Sequence, residues 1–215
     1  MAKKGAETRE RLLDAAIALF LRQGYAGTSL DDILRDTGLT KGAFFHHFRS
    51  KSDLALAAAQ HAGEQQARLF AECSAQAEAM SDDPLERMLV FLRLSLELPQ
   101  TPAGCIFATY THESAQFEPE IQAFVAERFR RWQAAYEQKF VALIAARTPA
   151  LPVTAAELAQ MLICMIEGGL ILSSSDGNPG CLARQSQRFR QYLELLFRPA
   201  QTEPARAQPD VVAVA

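Results

Sequence analysis

The sequence has no two cysteines close enough to form a CxxC motif, because its four cysteines lie at positions 73, 105, 164 and 181. This spacing argues against a disulfide framework or a zinc site and is typical of free thiols in a reducing compartment. His46 and His47 are adjacent, but neighbours on a helix point about 100° apart, and no third ligand follows at a suitable spacing. We therefore expect neither a metal nor a cofactor.

The sequence also lacks a long uninterrupted apolar run. Its start, MAKKGAETRE, has no hydrophobic stretch after the lysines, so it does not have the pattern of a secretory signal. The longest apolar stretch, in residues 161–172, contains Glu167 and is shorter than the roughly 20 residues of a membrane-spanning helix. We therefore expect a cytoplasmic protein that has no membrane-spanning helix.

No glycine-rich phosphate-binding loop and no nucleophile elbow occur in the sequence. Cys105, Thr109 and His112 would share one face of a helix, which is the kind of pairing a cysteine nucleophile needs. Two turns would separate the thiol from the imidazole by about 11 Å, however, and no acid is placed to orient the histidine. These residues therefore do not favour catalysis, and a small helical enzyme or binding protein is kept only as an alternative function.

What the sequence does contain is enough apolar material for a sizeable core, since 49% of its 215 residues are hydrophobic. Its net charge of −3 is unevenly distributed. Residues 1–60 have nine Lys and Arg against seven Asp and Glu, whereas residues 61–215 have thirteen against eighteen. A mildly basic N-terminal part suits contact with phosphate, and random scatter of charge is the alternative.

Residues 29–51, SLDDILRDTGLTKGAFFHHFRSK, predict two short helices joined by a tight turn. Ser29 and Asp32 have the spacing of a capping box, and apolar residues at 30, 33 and 34 give the first helix one buried face. Gly38 ends that helix because glycine enters the left-handed conformation without strain. A second capping box at 50–53 begins the helix that follows these two.

The second of these short helices has features suited to DNA. Thr40 caps it, and with Lys41 lies at a positive helix N-terminus. Gly42 lacks a side chain where the backbone would approach a duplex, and Ala43 offers a methyl group to a thymine methyl. The pair of helices is a helix-turn-helix, in which the second helix enters the major groove.

In these residues the chain resembles the TetR/AcrR family of transcriptional regulators, closely over about the first 60 residues and beyond them only in length and helical pattern. The resemblance rests on Phe20, Gly24, Tyr25, Thr28, Ser29, Ile33, Gly38, Leu39, Thr40, Lys41, Gly42, Ala43, Phe44, Phe45, His46, His47, Phe48, Lys51 and Leu54. One position departs from it: at Phe45 the family usually has a tyrosine, whose hydroxyl would reach a phosphate.

The resemblance implies a set of contacts with double-stranded operator DNA. Contacts with the DNA backbone are expected from Thr28, Thr40, Phe45, His47 and Lys51. The residues expected nearest the bases are Lys41, Gly42, Ala43 and His46. Phe44 and Phe48 fall four apart and are expected to hold the second helix against the core.

Helical periodicity continues through the chain and predicts an all-α fold of about nine helices. Three helices in residues 1–50 would form the helix-turn-helix DNA-binding head, and six in residues 51–198 a ligand-binding and dimerisation body. The first helix is expected to begin at Thr8, and the fourth to run from Lys51 to about Met80. We expect loops at 101–104 and 176–180, and a disordered tail at 199–215, which is rich in Pro and Ala.

By the same resemblance, the body encloses a ligand pocket and its last two helices form the interface of a homodimer. The candidate pocket residues, for which plain core packing is the alternative, are Phe91, Cys105, Phe107, Tyr110, His112, Trp132 and Tyr136. The candidate interface residues are Met161, Met165, Gly168, Gly169, Phe189, Tyr192, Leu193 and Leu196. The two glycines suggest close helix–helix approach, because each costs about 1 kcal/mol relative to alanine inside a helix.

Several polar residues of the body have two open interpretations. Glu97, His112, Glu113 and Glu167 could lie in a ligand pocket, or equally in solvent or at an interface. Cys105 could be a redox or electrophile switch, because the start of a helix favours a thiolate. The alternative for Cys105 is a small buried packing residue.

Together these patterns and the resemblance predict a dimeric regulator that binds a near-palindromic operator. A small molecule would release it from the operator, so we expect a repressor. An activator, or a regulator without a ligand, is the alternative within DNA binding.

Overall fold

The computed structural model describes residues 2–97, 104–175 and 180–198. Within them the chain forms nine α-helices, one short 3-10 helix and no strand, which confirms the all-α prediction. The α-helices are α1 (Ala2–Gln23), α2 (Leu30–Thr37), α3 (Lys41–His47), α4 (Lys51–Met80), α5 (Pro84–Leu96), α6 (Ile106–His112), α7 (Pro119–Ala146), α8 (Ala155–Ser175) and α9 (Cys181–Leu196). The 3-10 helix is η1 (Ser114–Gln116).

Helix α1 begins at Ala2, so the expectation that it starts at Thr8 was wrong. Alanine, lysine and glutamate are strong helix formers, and they make up most of the segment before Thr8. The polar residues before Thr8 therefore belong to the first turns of α1. Farther along, the apolar face of α1 is buried as its periodicity predicts, with Leu12 and Phe20 fully inaccessible.

The predicted caps of α2 are confirmed. The backbone N–H of Asp32 donates to the Ser29 hydroxyl over 3.1 Å, and the Asp32 carboxylate accepts from the backbone N–H of Ser29 over 2.9 Å. At the other end, Gly38 has φ 65° and its N–H donates to the carbonyl of Leu34. Only glycine adopts this left-handed conformation without strain, which fixes where the turn to α3 begins.

The caps of α3 and α4 follow the same chemistry with one difference. Thr40 accepts a hydrogen bond from the N–H of Ala43, and Ser50 accepts one from Asp53. The Asp53 carboxylate, however, accepts from the N–H of Arg49 instead of Ser50, so the expected capping box is not reciprocal.

Two apolar cores hold the helices together. The first contains residues of α1, α2, α3 and the start of α4, and it also contains Ile106, Phe107 and Tyr110 of α6 together with Phe117 and Ile121. The second joins the far part of α4 to α5, α7, α8 and α9. The first core therefore crosses residue 50, where we placed a domain boundary.

Tyr110 of α6 is the central residue of the contact between head and body. It is 1% exposed, and its hydroxyl donates to the carbonyl of Ala55 over 3.0 Å. Its ring packs with Phe20, Tyr25 and Phe117 in a cluster whose ring centroids lie 4.3–6.4 Å apart. Aromatic pairs at such distances contribute beyond the area that they bury.

Helices α8 and α9 pack side by side along α5 and α7. A capping box begins α8: Glu157 accepts from the N–H of Thr154, and Thr154 accepts from the N–H of Glu157. Gly169 allows the close approach of α9, because a Cβ there would lie 3.1 Å from the Cα of Leu182.

Helix α8 is long and apolar enough to cross a membrane by length and composition, and is the one such helix in the described parts of the chain. This is weak evidence for a membrane span, because core helices of soluble proteins pass the same test. Only 28% of its most apolar 18-residue window is buried within the chain, so α8 presents an exposed apolar face.

Three predictions fall outside the described residues. They are residues 101–103 of the predicted loop, residues 176–179 of the predicted turn, and the tail at 199–215, which was predicted to be disordered.

Tyr110→Phe tests the hydrogen bond between α6 and α4. We expect it to lower the free energy of unfolding by about 0.5–1.5 kcal/mol, the usual contribution of one such bond, measured by chemical denaturation. Tyr192→Phe is the matched control, because no bond of its hydroxyl to a described residue is seen, and it should change stability by less than about 0.5 kcal/mol. An equal effect of the two changes would contradict the role of the Tyr110 hydroxyl.

Candidate nucleic-acid interface and interior cavity

Helix α3 presents one side to solvent and the other to the core. Phe44 and Phe48 are buried, as predicted, and edge-to-face packing against Phe44 orients the ring of Phe45. The Phe45 side chain itself is 56% exposed. The exposed residues of α3 and its cap are Thr40, Lys41, Gly42, Phe45 and His46, and we call this set the open face.

The open face is polar and slightly basic at its N-terminal end. The Lys41 ammonium lies 3.1 Å from the Asp31 carboxylate, and both side chains are largely exposed. Exposed pairs of this kind contribute little to stability, so Lys41 can exchange its partner for a phosphate or a base at low cost.

Gly42 is not required by the packing of the chain itself. A Cβ built there would have one neighbour within 4 Å, the Thr40 hydroxyl at 3.9 Å, which is ordinary van der Waals contact. A glycine that costs helix stability and relieves no internal clash is explained if another molecule approaches the backbone there.

His47 is less accessible than His46. The two rings pack with centroids 4.9 Å apart, and His47 also lies beside Phe48. Burial, and then the charges of His46 and Arg9, lower the pKa of His47 below its usual value.

Thr28 and Lys51 are directed into the protein instead of onto the open face. The Thr28 side chain is 1% exposed and its hydroxyl donates to the carbonyl of Gly24. The Lys51 ammonium donates to the carbonyls of Tyr25 and Thr28 over 2.9 and 2.8 Å and lies over the Tyr25 ring. In this structure both side chains stabilise the turn between α1 and α2, and their expected contact with the DNA backbone stays a prediction.

Comparison with known proteins agrees with this geometry. Residues 12–58 match the bacterial regulatory proteins of the tetR family, and residues 83–188 match the C-terminal domain of LmrA/YxaF-like transcriptional regulators. Over 180 residues the chain is 33% identical to the HTH-type transcriptional regulator LmrA of Bacillus subtilis (strain 168), covering 80% of this chain and 89% of LmrA. This chain belongs to the TetR family of transcriptional regulators.

Solved structures of TetR regulators share the whole architecture. One from Chloroflexus aurantiacus is 31% identical, has a TM-score of 0.75, and covers 90% of this chain and 98% of its own. The regulatory protein TetR from Rhodobacter sphaeroides, at 22% identity and a TM-score of 0.73, covers 85% of this chain and 97% of its own, and supports the fold alone. The helix-turn-helix is thus the DNA-binding element of this TetR regulator.

The body of the regulator contains a partly open cavity of about 350 Å³. Four of the seven predicted pocket residues line it: Cys105, Phe107, Trp132 and Tyr136. The cavity also reaches α1 through Ile17 and Leu21, and α9 through Leu182, so every part of the body and one head helix contribute to its walls.

The other three predicted pocket residues lie elsewhere. Phe91 lines a separate cavity of about 120 Å³ beside Lys139. Tyr110 is directed towards α4 by its bond to Ala55, and His112 is exposed at the end of α6. Helical spacing gives the face of a residue but not which of two neighbouring spaces that face meets.

The structure shows which of the four acidic and histidine residues with two interpretations lies in the cavity. Glu97 makes a paired contact with Arg190 over 2.8 and 3.2 Å and also accepts from Ser186. His112 is exposed, Glu113 binds the head, and Glu167 alone lines the 350 Å³ cavity. Among the described residues, no cluster of three groups suited to a metal ion is found.

The surroundings of Cys105 disfavour the thiolate that a redox or electrophile switch would need. Burial first, and then the neighbouring Glu167, raise the pKa of Cys105 to about 12. Cys105 is the N-cap of α6, but a seven-residue helix with no side-chain cap bond does not outweigh these effects. The raised pKa favours the thiol over the thiolate at neutral pH.

The predicted interface residues divide into two groups. Met161 is 47% exposed, and Met165, Gly168 and Tyr192 are also accessible. Phe189, Leu193 and Leu196 are at most 5% exposed because they pack in the second core. Those three, together with Gly169, meet residues of their own chain, which corrects their assignment.

Glu113 is a functional residue that the sequence reasoning left undecided. Its carboxylate accepts from the backbone N–H groups of Tyr25 and Ala26 over 3.0 and 2.7 Å, and so holds the turn between α1 and α2. A Cβ on Gly24 would collide with the same carboxylate, and Gly24 has φ 77°. Gly24 marks the turn in the sequence, but nothing local identifies a partner 88 residues away.

Glu113→Gln tests this attachment. A neutral amide replaces one of the two acceptor oxygens with a donor, so we expect a loss of about 1–3 kcal/mol in the free energy of unfolding and faster hydrogen exchange at the amides of Tyr25 and Ala26. Glu118→Gln is the control, because that exposed carboxylate caps α7 without a side-chain hydrogen bond. Unchanged exchange at the two amides would refute the attachment.

Proposed function

We propose that this TetR regulator is a repressor that binds a near-palindromic operator as a homodimer and leaves it when a small molecule occupies the cavity. The observation that carries the proposal is the course of α6. Its N-cap residue, Cys105, lies on the cavity wall, and its C-cap residue, Glu113, holds the head. A seven-residue helix about 10 Å long thus connects the cavity to the turn before the helix-turn-helix.

The open face of α3 is the DNA-reading surface in this proposal. Lys41, Gly42, Ala43 and His46 would lie nearest the bases, and Thr40, Phe45 and His47 would contact the sugar–phosphate backbone. Two observations support this assignment. The open face is exposed, and no contact within the chain requires a glycine at position 42. Lys51 and Thr28 contribute indirectly, by fixing the turn before α2.

A second copy of the chain would cover the exposed stripe of α8. Met161, Met165, Gly168 and Leu172 recur at spacings of four, three and four, on one side of the helix, and each is accessible in the single chain. A two-fold dimer formed through such a stripe is self-complementary, and it would place both heads to read half-sites about 34–36 Å apart or somewhat more.

Release would follow a two-state equilibrium. An effector shifts the population only as far as its affinities for the DNA-binding and released conformations differ. Filling the cavity would displace Phe107 and the start of α6, and Glu113 would transmit that displacement to the turn at Tyr25. Activation, or regulation without a ligand, is the alternative; catalysis is not proposed, and the site of action is the cytoplasm.

Footprinting of the purified protein on the DNA flanking its own gene tests the proposal. Protection of a near-palindromic site, lost on addition of an effector, is the expected result. Protection that no cavity-binding compound relieves would favour regulation without a ligand, and protection that increases transcription in a reporter would favour an activator.

Gly42→Ala tests the close approach of DNA to α3. Because the added methyl fits within the chain, we expect a gain of up to about 1 kcal/mol in stability. Operator affinity should nevertheless fall by about tenfold, or about 1.4 kcal/mol, in a fluorescence anisotropy titration. Gly5→Ala, at an equally unobstructed glycine of α1, should leave affinity unchanged. Unaltered operator affinity of Gly42→Ala would place the DNA elsewhere.

Gly168→Leu tests the proposed dimer. A Cβ at Gly168 meets nothing within 4 Å in its own chain, so the larger side chain should disturb only a partner. We expect light scattering to show a monomer with unchanged helical content by circular dichroism. Ala134→Leu, which adds the same side chain to an exposed position of α7, should remain a dimer. A dimeric Gly168→Leu protein would exclude this stripe as the interface.

A further inference from the structure

Glu167 is an acid on the wall of the 350 Å³ cavity with an unused acceptor. Its side chain lies in the middle of α8, and its Oε1 atom is buried without a hydrogen-bond partner among the described residues. A buried polar atom that has lost water and gained no partner costs about 1–3 kcal/mol. Such an atom in a native fold calls for an explanation, and an absent ligand is one.

The immediate neighbours of Glu167 do not balance a negative charge. Burial raises the pKa of Glu167 above its usual value, even though the neighbouring Cys105 thiol and the charge of His112 act in the opposite direction. No Lys, Arg or His is among the described residues lining the cavity.

The remaining walls suit a cation with an apolar body. Phe70, Phe107, Trp132 and Tyr136 line the cavity, and the rings of Trp132 and Tyr136 lie 5.8 Å apart. Aromatic faces attract ammonium and guanidinium groups.

The protein already uses this attraction on two of the same rings. Lys139 lies 5.2 Å from the Phe70 ring centroid, and Arg128 lies 5.7 Å from that of Phe107. Arg128 is held by the carbonyl of Gly63, so it is not the missing partner of Glu167.

We propose that the cavity binds a hydrophobic ammonium ion, whose N–H donates to Glu167 Oε1 while its apolar body packs against the aromatic walls. The volume lies near the lower end of the range of about 300–1,000 Å³ for small-molecule sites, which suits an amine with one or two rings. The ammonium supplies both the donor and the charge that the site lacks. This inference rests on the proposed function only for its regulatory consequence, and the binding itself is independent of it.

The test compares two probes with one skeleton. 4-Phenylbutylamine is a cation at neutral pH, as a lysine side chain is, and 4-phenylbutan-1-ol is its neutral counterpart. Trp132 is the single tryptophan of the chain and lines the cavity, so its fluorescence reports binding of either probe to the full-length protein. We expect the amine to bind at least about tenfold more tightly, because charge-assisted hydrogen bonds are roughly twice as strong as neutral ones.

Glu167→Gln assigns the preference to this carboxyl. The variant keeps the shape of the side chain and removes the acid, so the amine should lose its advantage while the alcohol binds as before. Glu137→Gln, on α7 outside the cavity lining, removes one negative charge elsewhere and should keep the preference. Equal binding of the two probes by the unaltered protein, no binding of the amine, or an undiminished preference in Glu167→Gln would each overturn the proposal.

Operator release is measured separately, which keeps the two proposals distinguishable. If the amine binds with the expected preference but leaves operator affinity unchanged, the ligand class stands and release by cavity occupancy fails. If the amine shows no preference while the protein still protects its operator, the ligand class fails and DNA binding stands.

Discussion

The attachment of Glu113 to the backbone of Tyr25 and Ala26 is the contact on which the relation of head to body depends. Two charge-assisted hydrogen bonds fix the turn before α2, and Lys51 holds the opposite side of the same turn through the carbonyls of Tyr25 and Thr28. These bonds tie the turn to the end of α6 through Glu113 and to the start of α4 through Lys51. The orientation of α2 and α3 is therefore set from outside the helix-turn-helix itself.

Helix α6 makes this contact sensitive to the interior. It is short, it contributes Ile106, Phe107 and Tyr110 to the first core, and its N-cap residue borders the cavity. Packed interiors respond to a change of volume by shifting between discrete arrangements, because they are nearly as dense as crystals. A ligand that fills the space next to Phe107 thus acts on the same rigid element that ends in Glu113.

The departures from expectation share a physical origin. Thr28 and Lys51 were assigned to DNA by resemblance, yet their polar atoms bind the adjacent turn. Phe189 and Leu193 were assigned to a partner chain, yet they fill the second core of their own. Cys105 had two interpretations, a thiolate switch at a helix start and a buried packing residue, and burial beside Glu167 raises its pKa. The neighbours of Lys51 and Cys105 come from distant parts of the chain, whereas Thr28 bonds to Gly24 only four residues away.

The sequence by itself determined the elements whose causes are local. The caps at Ser29 and Gly38 involve bonds within four residues, and the amphipathic spacing of α1 and α3 defines their buried faces. The bounds of α2 and the helix-turn-helix could therefore be predicted, whereas the start of α1 could not. Only the tertiary structure decided which side chains meet across long separations, such as Glu113 with Tyr25 or Cys105 with Glu167. The reason is that periodicity fixes the face of a helix, whereas a contact between helices depends on how all the others pack.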